Sequence, residues 1–422
     1  VIPQALDWPL ASTDEILSAL LALAGQFRTD ADRPGLRLNP EPMIDREELR
    51  SDIHLFIGGK RLPKAVLDPL LPDIGDSTLE QYGERLCQAA EAADVMLYVT
   101  GLQRFTPTIW KRACEFLIPL YESVGLPAGY ADLELFMGRY RATPGGVHRD
   151  QGTNFHFVIS GQKKMHLWPR PDLSEALDPA GEASSDSRRF QTDQWMWDLG
   201  HGLSLAAASG DVFHWAIEHW HVGDSPEFSV SLNIALYLNG SPWKLVESAL
   251  SRALALANAS SYPFDPRAED WHAQGFPSDV SRIFDRLAGM ASLESIEALC
   301  AREWLRKMTS FGFAIVPPPE ASPVVQPGDV FKRTGVIPVL YRRVGGRLLY
   351  SANGHVDETI DSPRMLNLFD QINRLQPECE QFVMEPSCDE DVTRKLEVVR
   401  RLVQMRAVKP THRDLAACTN DR

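Results

Sequence analysis

Cysteine is scarce in this chain. Six residues in 422, Cys87, Cys114, Cys300, Cys379, Cys388 and Cys418, are scattered and form no CxxC pair. That excludes a disulfide framework and a zinc-ribbon spacing, and it fits reduced thiols in a cytoplasmic protein. No apolar run approaches about 18 residues, so no segment reads as a membrane span. The N-terminus lacks the charged-then-apolar layout of a signal peptide. Positive charge is in deficit, with 43 Lys and Arg against 57 Asp and Glu, a net charge of −14. A nucleic-acid backbone needs a positive footprint, so the balance argues against it as the main partner. A basic peptide or protein fits the balance better. There is no internal repeat or low-complexity tract. What is present is an ordinary globular composition, 44% hydrophobic and 24% charged. The chain is too long for one core, so two or three domains are expected.

Residues 1–130 read as mostly helical. Ser12 to Glu15 and Ser77 to Glu80 are capping-box patterns. Ile16, Leu20, Leu23 and Phe27 follow the first at helical spacing. Residues 28–75 are rich in Pro, Asp and Arg and read as loops with short strands. Val95 to Val99 reads as a strand. Thr106-Pro107 opens a helix whose expected buried face is Ile109, Ala113, Phe116 and Leu120. Residues 131–243 are strand-rich, interrupted by a polar segment, 170–208, that carries Trp195 and Trp197 and reads as an insertion or lid. Residues 244–316 return to helix, over 245–257, over 280–287 behind a Ser278 cap, and over 293–308. Pro317 to Pro323 has linker composition. In the module at 325–410, Val339 to Tyr350 reads as a hairpin around Gly345-Gly346. A helix then starts at Ser362-Pro363, carrying Leu366, Phe369 and Ile372. A last helix carries Leu396, Val399 and Val403.

The chemistry concentrates between Thr143 and Trp168. His148 and Asp150 stand two apart on an extended segment, so their side chains leave the same face. An imidazole and a carboxylate on one face supply two ligands of a 2-His-1-carboxylate iron site, whose remaining positions stay open. Asn154, Gly161, Lys163 and Lys164 follow, then Leu167-Trp168-Pro169. A third ligand must come from elsewhere, and His214, His219 and His221 compete. His219 and His221 share a strand face, so alternation does not separate them.

Over residues 130–240 this set resembles the JmjC family of cupin-fold oxygenases, and its spacing resembles the branch that contains asparaginyl hydroxylases. The resemblance implies an α+β fold. It has a double-stranded β-helix barrel with flanking helices. The 325–410 module is similar to the winged-helix-like C-terminal part of ribosomal oxygenases and to leader-peptide recognition domains. It implies Fe(II) held by His148, Asp150 and His221, the last chosen for its Trp220-His221-Val222 context. It implies 2-oxoglutarate with its distal carboxylate on Lys163, although strand phase leaves Lys163 and Lys164 open. Asn154 and Asn233 match cosubstrate-bonding positions. Thr143 is a further candidate, two residues farther from His148 than in that branch.

The implied activity is hydroxylation of a peptide or protein side chain, coupled to decarboxylation of 2-oxoglutarate to succinate. The substrate class is a ribosomal protein or a biosynthetic precursor peptide. The alternative is N-methyl-lysine demethylation, or hydroxylation of a small metabolite, at the same site. A barrel without metal is the non-enzymatic reading, and the intact His148, Asp150 and His221 set argues against it. The helices of 244–316 could serve a homodimer.

Overall fold

The computed structural model describes residues 1–31, 52–91, 94–169, 200, 202–241, 245–251, 293–321, 324–384 and 390–411. The expected lid with Trp195 and Trp197 lies outside them. So do the Ser278-capped helix and residues 252–257 of the helix expected over 245–257, of which 245–251 are helical. Two compact units emerge. One holds the described residues up to Gly240 together with Phe313–Pro317, and the other holds those from Ser241 to Gly312 and from Pro318 onward. No described helix is long and apolar enough to cross a membrane.

The first unit is built on antiparallel strands β1 (Asp52–Ile57), β2 (Lys60–Arg61), β3 (Val95–Thr100), β4 (Ala131–Tyr140), β5 (Gly152–Ser160), β6 (Gln162–Trp168), β7 (Leu203–Ala208), β8 (Val212–Trp215) and β9 (Trp220–Tyr237). Their order is β2-β1-β3-β4-β9-β5-β8, with β6 pairing both β7 and β9. The long β9 belongs to both sides. Its C-terminal part pairs β4 and β5, from Ala131↔Leu236 to Phe157↔Leu232, and its N-terminal part pairs β6, from Trp168↔Trp220 to Lys164↔Asp224. Two facing four-stranded layers result, β4-β9-β5-β8 and the His148 segment-β9-β6-β7. That is the strand order of a double-stranded β-helix. Leu203–Ala208 therefore belong to the barrel, and the interruption expected over 170–208 ends earlier than its polar composition suggested.

The chain turns from one layer to the other at Gly161. Its φ is +76°, and a Cβ there would stand 2.5 Å from the Phe228 carbonyl oxygen, so glycine is required.

Helices α1 (Thr13–Ala31), α2 (Leu79–Ala89) and α3 (Pro107–Val124) complete the unit. The Ser12–Glu15 capping box forms, with Glu15 N–H donating to Ser12 Oγ at 3.2 Å and Ser12 N–H to Glu15 Oε2 at 2.9 Å. The second cap sits one residue later than expected. Thr78 is the N-cap and accepts from Gln81 N–H, because Gln81, and not Glu80, reaches back to Ser77. On α3 the buried stripe is Ile109, Ala113 and Leu117 with Trp110, Cys114 and Tyr121. Phe116 and Leu120 lie at its margin. Phe116 meets Phe155 and Phe157, with ring centroids 5.2 and 5.0 Å away. The outward side chains of β5 are thus covered by α3.

Leu133, Leu135, Met137, Leu232 and Ile234 are likewise fully buried. Each contributes about 1.5–3 kcal/mol by leaving water. This apolar outer face anchors the sheet, while its inner face carries Glu134, Asn154, His156, Ser231 and Asn233, all buried. Buried polar groups are costly unless partnered, so an inner face of this composition marks a site.

In the second unit, α4 (Leu293–Thr309) covers one face of the meander β11 (Leu340–Val344), β12 (Arg347–Ala352), β13 (His355–Ile360), through Ala301 and Leu305 against Val344 and Leu349. The expected hairpin is present, with Gly345 and Gly346 at φ +57° and +72°, as a two-residue primed turn requires. The other face packs Leu348 and Tyr350 on α5 (Pro363–Arg374) and α6 (Glu390–Gln404) through Phe369, Ile372, Val399 and Leu402. Ser362 caps α5 as expected, accepting from Met365 N–H at 3.3 Å. A second sheet, in the order β14 (Gln381–Val383), β10 (Val330–Arg333), β15 (Val408–Thr411), was not foreseen. Its strands are three or four residues long, too short for an alternating pattern to register.

Candidate metal and cosubstrate site

The two histidines are brought together by the backbone. His148 N–H donates to His221 O at 3.0 Å, and His221 N–H donates to His148 O at 2.7 Å. Reciprocal bonding of this kind places two antiparallel residues directly opposite, with side chains on one face. The imidazole centroids are accordingly 4.4 Å apart. Asp150, two residues on, joins the same face. Its Oδ1 is 3.5 Å from His148 Nε2 and its Oδ2 is 3.3 Å from His221 Nε2. The ligand atoms of the three residues lie within 4.8 Å of one another.

Each ring also has its far nitrogen engaged. His148 Nδ1 lies 2.8 Å from Gly146 O, and His221 Nδ1 lies 3.2 Å from His219 O. A carbonyl only accepts, so both Nδ1 atoms carry the proton and both Nε2 lone pairs face the gap. Burial works against the charge on Asp150, but when the rings also carry a proton on Nε2, His221 and then His148 more than offset it and hold the carboxyl well below its usual range; a metal would take the place of those protons. Two imidazole lone pairs and one ionised carboxylate converging from one side fit a divalent metal that keeps its other positions open.

The other histidines go elsewhere. His214 is exposed on the outer side of β8, stacked on Phe155 at 4.5 Å. His219 precedes β9 and serves His221 through its carbonyl. The structure also separates the two lysines. Lys163 is 1% exposed inside the barrel, whereas Lys164 faces out. Lys163 Nζ donates to Tyr140 Oη at 2.8 Å and to Ser231 Oγ at 3.4 Å, and it lies 4.8 Å from the centre of the Phe136 ring. Burial pulls its ammonium down to about 7, with Asp224 opposing. Its direct hydrogen-bond partners carry no negative charge.

Thr143 faces the same space. A Cβ on Gly223 would stand 3.2 Å from Lys163 Cε and 3.4 Å from Thr143 Cγ2, and Thr143 Oγ1 is buried without a hydrogen bond. Burial keeps His156 neutral, and Ser231 Oγ lies 2.7 Å from its Nε2.

Asn154 and Asn233 are both inside the barrel, engaged with protein groups. Asn154 Nδ2 donates to Asp150 Oδ2 at 2.9 Å. Asn233 Nδ2 donates to Asn154 Oδ1 at 2.7 Å and to Glu134 Oε2 at 2.9 Å. Asn233 Oδ1 is buried without a partner. Tyr98 Oη donates to Glu134 Oε1 at 2.9 Å, and burial, reinforced by Asp132, pushes the Glu134 carboxyl up to about 8.

Sequence reasoning did not single out Tyr140, Ser231, His156 or Glu134. The alternation of β4 carries the signal for two of them. Glu134 and Tyr140 share a face with Phe136, and a buried glutamate between two leucines is the oddity.

No family model matches the chain, and no curated protein does. Among solved structures it is similar to YcfD from Escherichia coli, at 16% identity and a TM-score of 0.43, over 89% of this chain and 92% of that one. It is similar to the same ribosomal oxygenase in complex with cobalt and succinic acid, at 15% identity and a TM-score of 0.42, over 90% and 92%. The complex with cobalt and 2-oxoglutarate aligns at 16% identity and a TM-score of 0.41, over 90% and 92%.

Proposed function

We propose that this chain is an Fe(II)- and 2-oxoglutarate-dependent oxygenase of the JmjC type that hydroxylates a side chain of a peptide or protein. One observation carries the reading. The ligand atoms of His148, Asp150 and His221 lie within 4.8 Å of one another, in a barrel that also buries Lys163 without a carboxylate hydrogen-bonded to it. In the iron-bound enzyme, the metal supplies dioxygen activation coupled to decarboxylation of the oxo acid.

The chain's own residues do the rest. Both Nδ1–H bonds to carbonyls hold the imidazoles in the ligating tautomer. Lys163 provides the buried point charge for the distal carboxylate of the cosubstrate. Tyr140 Oη and Thr143 Oγ1 are hydroxyls beside it, and the unpartnered Thr143 Oγ1 is a donor in need of an acceptor. Asn154 and Asn233 line the space between the metal ligands and Glu134. The apolar walls, Trp215 and Phe136 among them, exclude water from the reacting groups.

A peptide or protein as prime substrate is favoured by the net charge of −14, which suits a basic partner, and by the presence of a second compact unit. We assign that unit a winged-helix-like, peptide-binding role. The substrate class is a ribosomal protein or a precursor peptide. Incubation with Fe(II), 2-oxoglutarate and basic candidate peptides should produce succinate together with a peptide heavier by one oxygen atom. Formaldehyde release from a methyl-lysine peptide would favour demethylation. Succinate formation indifferent to every peptide would contradict the peptide reading.

A further inference from the structure

We propose that Trp215 is a cosubstrate-binding residue, its indole N–H donating to 2-oxoglutarate beside His221. The inference rests on the oxygenase reading above and adds to it a donor that the sequence motifs do not mark.

Trp215 is on the inner face of the barrel. It stands directly opposite Asn154 across the β5–β8 pair, as Phe213 stands opposite His156. Residues opposite one another on antiparallel strands share a face, and Asn154 and His156 are both inner. His214, between Phe213 and Trp215, points out and is exposed. The Trp215 ring lies 5.0 Å from the His221 ring and 6.1 Å from that of His156, centroid to centroid. His156 Nε2 is in turn 2.7 Å from Ser231 Oγ, which lies 3.4 Å from Lys163 Nζ. One wall therefore runs from a candidate metal ligand through Trp215, His156 and Ser231 to the lysine. A diacid held by the metal at one end and by Lys163 at the other would lie along it.

Trp215 is 5% exposed, and its Nε1 has no hydrogen-bond partner. An indole N–H only donates, and a buried donor left unmet is costly. 2-Oxoglutarate carries only acceptors, two carboxylates and a ketone, so it supplies what the indole lacks. The contact with His221 assigns this donor to the oxo-acid end, whereas Tyr140 and Thr143 gather around Lys163 at the other. Trp110 and Trp220 also carry an unpartnered N–H. Trp110 is on α3, edge-on to Phe313, and Trp220 packs with Val147, Trp168 and Val222. Neither is on the inner face, so Trp110 serves as a control.

The test uses the protein with its indoles labelled with 15N and with Zn(II) as a diamagnetic occupant of the metal site. The ten tryptophans each give an indole N–H signal, and the loss of one in Trp215→Phe identifies that of Trp215. Adding 2-oxoglutarate to the zinc-loaded protein should move that signal downfield and leave the Trp110 signal in place. By calorimetry, Trp215→Phe should weaken 2-oxoglutarate by about tenfold or more, the worth of a hydrogen bond to a charged group, with Zn(II) affinity near wild type. Two further variants separate donation from packing. The amide nitrogen of glutamine lies as many bonds from Cβ as the indole nitrogen does, and methionine has a similar length with no donor. Packing alone favours methionine against an apolar wall, and donation favours glutamine. Trp215→Gln should therefore bind 2-oxoglutarate more tightly than Trp215→Met.

A wild type that binds no 2-oxoglutarate with Zn(II) present defeats the oxygenase reading itself. Binding by the wild type with the Trp215 signal unmoved, or with methionine serving as well as glutamine, overturns this inference alone.

Discussion

His221 Nε2 stands 3.3 Å from Asp150 Oδ2, and the bond that puts it there is made by the backbone of His148, not by either side chain. That backbone pairing uses neither imidazole ring. Replacing His221 by Ala should therefore leave the fold intact and remove metal binding. The loss should exceed the roughly 10–100-fold that outer-shell partners cost. His214→Ala should keep wild-type affinity. Calorimetric titration of Co(II) into the three proteins checks this.

Lys163 gives a pH signature. Its folded-state value, about 7, lies below the 10.5 of a free lysine. A depressed group contributes stability that is present above the unfolded value and lost as pH falls toward the folded one. Between about pH 10 and 7 the wild type should therefore lose stability relative to Lys163→Met, by a few kcal/mol at most. Thermal melts across that range read the difference. A bound carboxylate raises the lysine again. Binding of 2-oxoglutarate at pH 8 should take up a proton and weaken as pH rises, measurable by calorimetry in buffers of different ionisation enthalpy.

Glu134 acts in the opposite sense and in a different window. Its carboxyl is raised from 4.5 to about 8. A raised group contributes fully below its unfolded value and loses that contribution as pH rises through its folded one. Glu134→Gln cannot ionise, so its melting temperature should gain on the wild type between about pH 4.5 and 8, then level off. A constant difference across that range would contradict the assignment.

Gly223 lies against Lys163 and Thr143. A Cβ there would meet Met165 Sδ at 3.0 Å as well as Lys163 Cε and Thr143 Cγ2. Gly223→Val should weaken 2-oxoglutarate by about tenfold or more, the worth of roughly 1.4 kcal/mol, and leave Co(II) affinity near wild type. Competitive displacement with succinate measures the first, and direct titration the second.

The metal-ligand candidates were legible because period-two spacing is local. His148 and Asp150 declare a shared face by themselves. His221 against His219 was not decided by alternation. The answer lies in a hydrogen-bonded pair with His148, a long-range register that one strand does not encode. Lys163 against Lys164 failed for a related reason. Gly161 re-aims the strand through a positive φ, which breaks any count carried forward from Asn154. Helix caps were nearly readable, and the Thr78 error shows why only nearly. Two hydroxyl residues in a row, Ser77 and Thr78, offer two registers, and the glutamine that reaches back selects one. The second sheet of the other unit was invisible because its strands are too short to show a period. The two asparagines bond to each other inside the barrel, and their further partners, Asp150 and Glu134, were not foreseen, since no pattern along one strand encodes them.

The central claim is tested most directly by titrating 2-oxoglutarate into the protein with and without Mn(II). Tight binding that requires both the metal and Lys163, and that disappears in Asp150→Ala, is the predicted result. Binding of equal strength with the metal absent, or with His148, Asp150 and His221 all replaced, would contradict it.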